Sequence, residues 1–239
     1  MTDSILVTTD LHLTDRERDA YRWDLFPWLE EQAKEEGDKH LLILGDLTDE
    51  KDGHSARLVN RIVDTLTRFV SLGMRVWILK GNHDYIDPDC PYFRFLNMTH
   101  GIRFLHKPVV GSIGQTNTAF LPHSRNPVEE WQDFRMDDAS MVVCHQTFNG
   151  ADAGKGHRLD GGISSRYFSD ERNMDLLVLS GDIHVPQQCG DVTYVGCPYP
   201  ISFGDAFEPR VIRIQDSEGA VEYLSPPSIR KWSLDLTRS

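Results

Sequence analysis

The chain has 239 residues, of which 39% are hydrophobic and 26% charged, a composition typical of a globular protein that buries a full core without disulfide bonds or structural metal. Its net charge of −12 argues against a protein that binds nucleic acid over a wide basic surface, although a local basic patch or bound cations would offset the charge near a site. The four cysteines show no C-x-x-C spacing and no apolar stretch approaches the roughly 18 residues that span a bilayer, so we expect a soluble cytoplasmic protein with free thiols and no membrane contact.

The first third of the chain alternates predicted strands and helices. Apolar, β-branched runs predict the strands, and apolar residues at helical spacing predict the helices between them. In order, these are a strand at Ser4–Thr9, a helix at Asp15–Glu36, a strand at Leu41–Leu44, a helix at Ser55–Leu72 and a strand at Arg75–Leu79. Strands joined by helices indicate a parallel sheet with right-handed crossovers.

Shorter elements are predicted in the rest of the chain. Between Ile102 and Pro122 short apolar runs alternate with turns, which predicts antiparallel strands of a second sheet packed on the first. The other elements are helices at Pro91–Met98 and Pro127–Phe134, strands at Met141–His145, Met174–Leu179, Val211–Ile214 and Val221–Leu224, and a long loop at Phe148–Arg172. No linker is visible, so we expect one domain over residues 1–239, with residues 225–239 as a C-terminal tail.

Side chains of the metal-ligand type follow five of the predicted strands. They are Asp10, His12, Asp46, Asn82, His83, His145, Asp182 and His184. Each motif alone has an ordinary interpretation as a turn or a helix cap, but five such coincidences together are improbable. Because ligands bind at the carboxyl ends of strands in open α/β sheets, we expect these side chains to meet in one cleft.

The chemistry of this set indicates two metal ions. Mixed imidazole and carboxylate ligands suit Mn, Fe, Zn or Ni rather than calcium. Eight residues exceed one coordination sphere, and two ions bridged by one carboxylate, about 3.5–4 Å apart, are typical of sites that hydrolyse phosphoesters.

The order D-x-H, G-D-x-x-D, G-N-H-D, a lone His after a strand, and G-x-x-H resembles the calcineurin-like metallophosphoesterase family. The resemblance covers the chain from about Ser4 to Ile214, and the stretch from Gly181 to Asp205 resembles the bacterial SbcD-type subunit of DNA double-strand-break nucleases. It implies an α/β fold of the four-layer α-β-β-α sandwich type, in which helices flank two mixed β-sheets.

The resemblance also implies a role for each site residue. The metal ligands would be Asp10, His12 and His184 on the first ion, Asp46 between both ions, and Asn82 and His145 on the second. His83 would face the scissile phosphate and protonate or stabilise the leaving oxygen, while Asp49 and Asp84 would orient the ligands and His83. The implied cofactors are two divalent metal ions, with Mn favoured and Fe, Zn, Ni or Mg as alternatives.

Two features depart from these relatives. Asp182 stands where the family usually has a second-metal His; it would either ligate the ion and favour Mn or be too short and hold a water. In addition, too few residues follow the last predicted core strand for a full DNA-capping domain.

The leading functional hypothesis is a metal-dependent phosphodiesterase, a nuclease acting on DNA, with an SbcC-like ATPase partner or a homodimer as its assembly. Lys155, Arg158, Arg166 and Arg172 of the long loop would meet a phosphate backbone or simply be solvated. The alternatives are a phosphodiesterase or phosphomonoesterase for small nucleotide-like substrates, which an acidic surface would tolerate, and a catalytically weak binding subunit.

Overall fold

The computed structural model describes residues 4–132, 134, 136, 139–169, 176–202, 205–215 and 220–227. The strands are β1 Ile5–Thr8, β2 His40–Ile43, β3 Arg75–Leu79, β4 Ile102–Leu105, β5 Val109–Ile113, β6 Thr116–Leu121, β7 Met141–His145, β8 Leu177–Gly181, β9 Gln187–Cys189, β10 Val192–Tyr194, β11 Val211–Gln215 and β12 Ala220–Leu224. The α-helices are α1 Leu25–Glu36, α2 Ala56–Ser71 and α3 Pro127–Trp131, and 3₁₀ helices span Glu17–Asp24 and Tyr92–Met98.

The first sheet has six strands in the order β12-β11-β1-β2-β3-β4. Strands β1 to β4 pair in parallel, as the strand–helix alternation predicts for the first three. Strands β11 and β12 extend the sheet beyond β1 in an antiparallel hairpin. The parallel strands place the ends of β1, β2 and β3 at one edge.

The prediction that Ile102–Pro122 contributes only to a second, antiparallel sheet is wrong for its first strand. Strand β4 pairs in parallel with β3, with Val76 opposite Ile102. The 3₁₀ helix Tyr92–Met98 provides the crossover that a parallel connection needs. The β5–β6 hairpin does belong to the second sheet and is antiparallel, as predicted.

The second sheet also has six strands, in the order β5-β6-β7-β8-β10-β9. Strands β6, β7, β8 and β10 are parallel, and the two outer strands are antiparallel to their neighbours. The sheet is therefore mixed, and the ends of β7 and β8 lie side by side, with His145 opposite Gly181.

Apolar layers hold the sheets and helices together, since alternate residues of each strand face opposite sides. Between the sheets lie Ile5, Val7, Leu42, Leu44, Leu79, Met141, Val143 and Leu179, and Trp77 stacks on Phe120. The outer face of the first sheet packs on α1 and α2 through Phe26, Leu29, Ile62, Leu66 and Phe69. The outer face of the second packs on Trp131 of α3 and on Phe148 and Phe168 of the following loop. The α/β sandwich of two mixed sheets is confirmed; within the described residues a loop makes much of its fourth layer.

The first predicted helix is interrupted. Residues Glu17–Asp24 form a 3₁₀ helix, and the α-helix begins only at Leu25. Pro27 explains the break, because proline lacks an amide donor and is tolerated in the first turn of an α-helix but not in its interior. The helix ends before Gly37, whose φ of 75° suits a left-handed C-cap.

The remaining elements follow the sequence with small shifts. The long loop from Phe148 is irregular as far as Ser169, and residues 170–172 lie outside the described part of the chain. Residues 174 and 175 of the predicted strand and 228–239 of the tail also lie outside it, and β8 begins at Leu177. The cysteines are free, and Cys144 is buried as expected. None of the described helices is long and apolar enough to cross a membrane.

Candidate metal centre

The turns after the strands are tied to one another by backbone hydrogen bonds. The amide of Asp10 donates to the carbonyl of Gly45 at 3.1 Å, and the amide of His12 donates to the carbonyl of Asp46 at 2.9 Å. Asp10, His12, Asp46 and Asp182 all have positive φ, between 43° and 82°. Side-chain-bearing residues adopt this region only when their surroundings impose it, and such residues cluster at functional sites. Asp10 and His12 therefore converge through left-handed backbone positions and not through an extended strand.

Glycines provide the space in which these side chains meet. A side chain on Gly45 would collide with the imidazole of His145, and one on Gly81 would collide with Asp46. One on Gly181 would lie 2.7 Å from Nδ1 of His145. The glycine of each motif is therefore a steric requirement of the site.

Asp10, His12 and His184 form the first group of ligand atoms. Their donor atoms lie within 4.8 Å of one another, and the two imidazole Nε2 atoms are 3.3 Å apart. Two donors bound to one ion at about 2.1 Å are separated by roughly 3.0–3.4 Å in octahedral or tetrahedral geometry. The group has the spacing of a coordination shell.

Asp46 lies between this group and a second one. Its Oδ2 is 3.6 Å from Nε2 of His12, and its Oδ1 is 3.5 Å from Nε2 of His145. The backbone amide of His83 donates to Oδ1 at 2.8 Å and fixes the carboxylate. The two oxygens face opposite sides, which is the arrangement that a bridging carboxylate needs.

The second group contains His145 and Asn82. Nδ1 of His145 contacts the carbonyl of Leu44 at 2.6 Å, and Nε2 lies 2.9 Å from Oδ1 of Asn82. A proton on Nδ1 leaves a lone pair on Nε2, which is the form of histidine that ligates metals.

Asp182 lies beside the second group. Its Oδ1 is 3.8 Å from Nε2 of His145, and its Oδ2 accepts a hydrogen bond from the hydroxyl of Thr147. The distance is slightly longer than that of two donors on one ion, so a small movement of Asp182 separates direct ligation from contact through water. Both alternatives stated from the sequence stay open.

Comparison with known proteins identifies the family. The family model described as calcineurin-like phosphoesterase matches residues 4–186, more than half of the chain. The chain belongs to the calcineurin-like phosphoesterase family. Among solved structures, one described as a novel archaeal phosphodiesterase has a TM-score of 0.51 and 12% sequence identity, covering 93% of this chain and 99% of that chain. At this identity the likeness shows the fold alone. Comparison with curated protein sequences gave no match.

The sequence prediction of a metal-dependent phosphoesterase is thereby confirmed. The family has a dinuclear metal site, and the groups of ligand atoms described above are where this phosphoesterase would hold its ions. The identity of the metal and the role of each individual ligand stay predictions.

The donor set of this phosphoesterase fits cations. The atoms near Nε2 of His145 are Oδ1 of Asn82 and Oδ1 of Asp46. When the proton of the imidazole is on Nδ1, Nε2 and both of these oxygens are hydrogen-bond acceptors. A cation satisfies these atoms together, as would a second proton on Nε2 of His145 or a rotated Asn82 amide with Nδ2 3.0 and 3.1 Å from the Asp46 oxygens. Buried acceptors that converge without a donor are the chemistry of a metal site.

Electrostatics in this phosphoesterase support the same conclusion. Burial raises the pKa of Asp10 to about 6 and lowers that of His12 to about 3. Burial would also lower the pKa of His145, but Asp46, Asp10 and Asp182 raise it well above its ordinary value. The carboxylates therefore create a potential that attracts a positive charge, while His12 stays neutral and able to ligate.

His83 lies at the rim of the site. Its ring meets that of His12 edge-on, with centroids 4.8 Å apart, and its Nδ1 contacts the backbone carbonyl of Asp49 at 2.7 Å. With Nδ1 donating to that carbonyl, the imidazolium form presents Nε2–H to the substrate. Because one nitrogen of His83 also lies within 4.8 Å of ligand atoms of His12 and Asp46, geometry alone leaves ligation by His83 open.

Asp49 and Asp84, which the resemblance grouped together, act differently in the structure. Asp49 orients His83 through its backbone carbonyl, whereas its carboxylate binds Arg16 at 3.1 Å and lies 3.9 Å from Nδ1 of His12. The carboxylate of Asp84 is buried and accepts from the amides of Gly81, Asp46 and Leu47 at 2.6, 2.9 and 2.9 Å. Asp84 therefore joins the turn after β2 to the turn after β3.

Residues that the sequence analysis did not select also contact the site. The Thr9 hydroxyl donates to Asp10 at 2.8 Å, and Thr147 donates to Asp182. His123 lies 6.1 Å from His145 between ring centroids, and its Nδ1 is 2.9 Å from the hydroxyl of Tyr85. His123 follows the apolar run of β6, so the pattern of a polar ligand-type residue after a strand would have found it.

Proposed function

We propose that this phosphoesterase is a two-metal phosphodiesterase that cleaves phosphodiester bonds in DNA. The observation that carries the proposal is the position of Asp46, whose two oxygens lie 3.6 and 3.5 Å from imidazole nitrogens on opposite sides. A carboxylate shared in this way suits a pair of ions that would clamp both the attacking and the leaving oxygen of an in-line displacement.

The chain's own residues perform the remaining steps. Asp10, His12, Asp46, Asn82, His145 and His184 would hold the ions, which when bound activate water and neutralise charge on the phosphoryl oxygens. The His83 imidazolium, oriented by the Asp49 carbonyl, would then donate its Nε2 proton to the leaving oxygen. Asp84 keeps the turn that carries Asn82 and His83 in register with the turn that carries Asp46.

An open cleft beside the candidate ligands leaves room for an organic group on the phosphate. A cavity of about 560 Å³ is lined by Asp182, His184, Lys155 and Phe207. A phosphodiester carries an organic group on each side of the phosphorus, and a cavity of this size accepts a nucleotide-sized group.

DNA is the favoured substrate for two reasons. The stretch from Gly181 to Asp205 resembles that of a DNA nuclease subunit. Lys155, Arg158 and Arg166 of the loop after β7 are exposed, whereas Arg172 lies outside the described residues. The net charge of −12 opposes long contacts with a duplex but not local contacts at a strand end. The ATPase partner and the homodimer stay predictions.

A hydrolysis panel tests the proposal. The purified protein with Mn would be given single- and double-stranded DNA, a bis-aryl phosphodiester, an aryl phosphomonoester and cyclic nucleotides, with Asp46→Asn as the control for contaminating nucleases. We expect cleavage of the diester and of DNA by the wild type only. Hydrolysis restricted to the monoester would refute the proposal.

A second candidate is a phosphodiesterase for small nucleotide substrates, favoured by the acidic chain and by a cleft that fits one nucleotide. The two differ in their response to salt. Binding to a DNA backbone weakens steeply as salt rises because counterions are released, whereas a single small diester shows a shallow dependence. DNA cleavage slower than that of cyclic or dinucleotide diesters at every salt concentration would favour the second candidate.

A further inference from the structure

A Gly-Lys-Gly turn in the loop after β7 has unusual backbone geometry. Gly154, Lys155 and Gly156 have φ values of 110°, 55° and 75°. Glycine adopts positive φ freely, whereas a lysine there is strained because its Cβ approaches the carbonyl oxygen. A third glycine would suit this turn better than lysine, so the Lys155 side chain is present at a conformational cost.

Hydrogen bonds fix the turn against the metal-binding segment. The amide of Ala153 donates to the carbonyl of His157 at 2.8 Å, which closes the turn. Asp152 accepts from the amide of Gly154 at 2.7 Å. Gln187, three residues after His184, exchanges two hydrogen bonds of 2.7 Å with the backbone of Asp152. The turn is therefore held at a set position relative to the metal ligands.

Lys155 lines the 560 Å³ cleft together with Asp182 and His184. The cleft has two other acidic residues, Asp152 and Asp205. Their carboxylates accept hydrogen bonds from backbone amides of their own loops and so stabilise those loops. Among the described residues, no carboxylate forms an ion pair with the Lys155 ammonium. Lys155 is thus an exposed cation beside the site in a chain whose net charge is −12.

We propose that Lys155 forms a subsite for a second phosphate group, next to the scissile phosphodiester. The inference rests on the proposed function and narrows the substrate class to nucleotides or strands with at least two phosphates. Asn82 and His83 do not line this cleft, so Lys155 suits a neighbouring phosphate and not the scissile one. Phe207, which also lines the cleft, offers an aromatic face for a base.

Paired dinucleotides test the subsite. A thymidine dinucleotide with a 5′-phosphate and the same dinucleotide without it would be compared by kcat/KM. We expect the wild type to prefer the phosphorylated one about two- to fivefold, the range of an exposed ion pair, and K155G and K155N to bring the ratio close to one. Both replacements are compatible with positive φ, so these variants should stay folded.

R158Q is the matched control. It removes one positive charge from the same exposed loop, but Arg158 does not line the cleft. We expect R158Q to keep the wild-type preference for the 5′-phosphorylated dinucleotide. An unchanged ratio in K155G, or an equal loss in R158Q, would overturn the proposal.

A binding measurement separates this inference from the proposed function. Calorimetric titration of both dinucleotides in Mn needs no turnover. Binding that depends on the 5′-phosphate and on Lys155, without hydrolysis of either dinucleotide, would retain the subsite and refute the phosphodiesterase. Hydrolysis of both dinucleotides by the wild type, without any preference for the 5′-phosphate, would refute the subsite and retain the phosphodiesterase.

Discussion

Replacement of Asp84 by Ala should destabilise the protein strongly, although Asp84 is not placed as a metal ligand. Its carboxylate is fully buried and accepts three backbone hydrogen bonds, from Gly81, Asp46 and Leu47. Alanine would leave these three amides without their acceptor. The two turns that carry Asp46 and Asn82 would then lose the group that joins them.

The expected size follows from these contacts. A buried donor without a partner costs about 1–3 kcal/mol, and partial relaxation of the turns reduces the sum to about 3–6 kcal/mol. For a protein of 239 residues, 1 kcal/mol shifts Tm by about 2–4 °C. We therefore expect D84A to lower Tm by roughly 6–24 °C.

D49A is the matched control, because it removes a carboxylate of the same motif set. The Asp49 carboxylate is 31% exposed and pairs with the 40% exposed Arg16, a contact worth about 0–1 kcal/mol. Its link to His83 is a backbone carbonyl that alanine retains. Differential scanning calorimetry on both variants, with and without Mn, measures the difference. Equal Tm values for D84A and D49A would refute this reasoning.

The other predictions concern activity and metal. H83A should lower turnover by about 10²–10⁴-fold, the usual contribution of a positioned acid, with unchanged metal content by elemental analysis; loss of metal would show that His83 is a ligand. D182A should raise the Mn concentration for half-maximal activity about tenfold or more, and T147V less, while an unchanged midpoint in D182A would exclude direct ligation. G81A should abolish metal binding in a calorimetric titration because its Cβ collides with Asp46, whereas G111A, whose Cβ would make an ordinary 3.7 Å contact with Phe120, should bind normally.

The sequence predicted that the candidate ligand side chains meet at one edge, because their positions follow from chain topology. A polar residue after a buried parallel strand must reach the same edge as its neighbours, so Asp46 and His145 could be placed together although 99 residues separate them. Apolar periodicity also placed α2, which begins after its Ser55 cap and ends at Ser71.

Other features depended on contacts that no local pattern contains. Strand β4 belongs to the first sheet because a 3₁₀ helix of seven residues is enough to connect it in parallel to β3. A 3₁₀ helix this short has no distinct hydrophobic periodicity that the sequence could reveal. The different uses of Asp49 and Asp84 are also invisible in sequence, since both are carboxylates near a ligand. Asp84 acts through its buried carboxylate, whereas Asp49, whose carboxylate is partly exposed, contacts His83 through its backbone carbonyl. The structure is needed to distinguish these two roles.

The strain and the glycines of the site have a common origin. Asp10, Asp46 and Asp182 adopt positive φ, which costs each turn of order 1–3 kcal/mol, and burial of their carboxylates adds to that cost. Hydrogen bonds between the turns and the absence of side chains at Gly45 and Gly81 keep these residues in place. Because these residues already have their strained conformations in the folded protein, binding of an ion would require little further rearrangement of the turns. Each glycine is thus as necessary to metal affinity as the ligand beside it, although it contacts no metal.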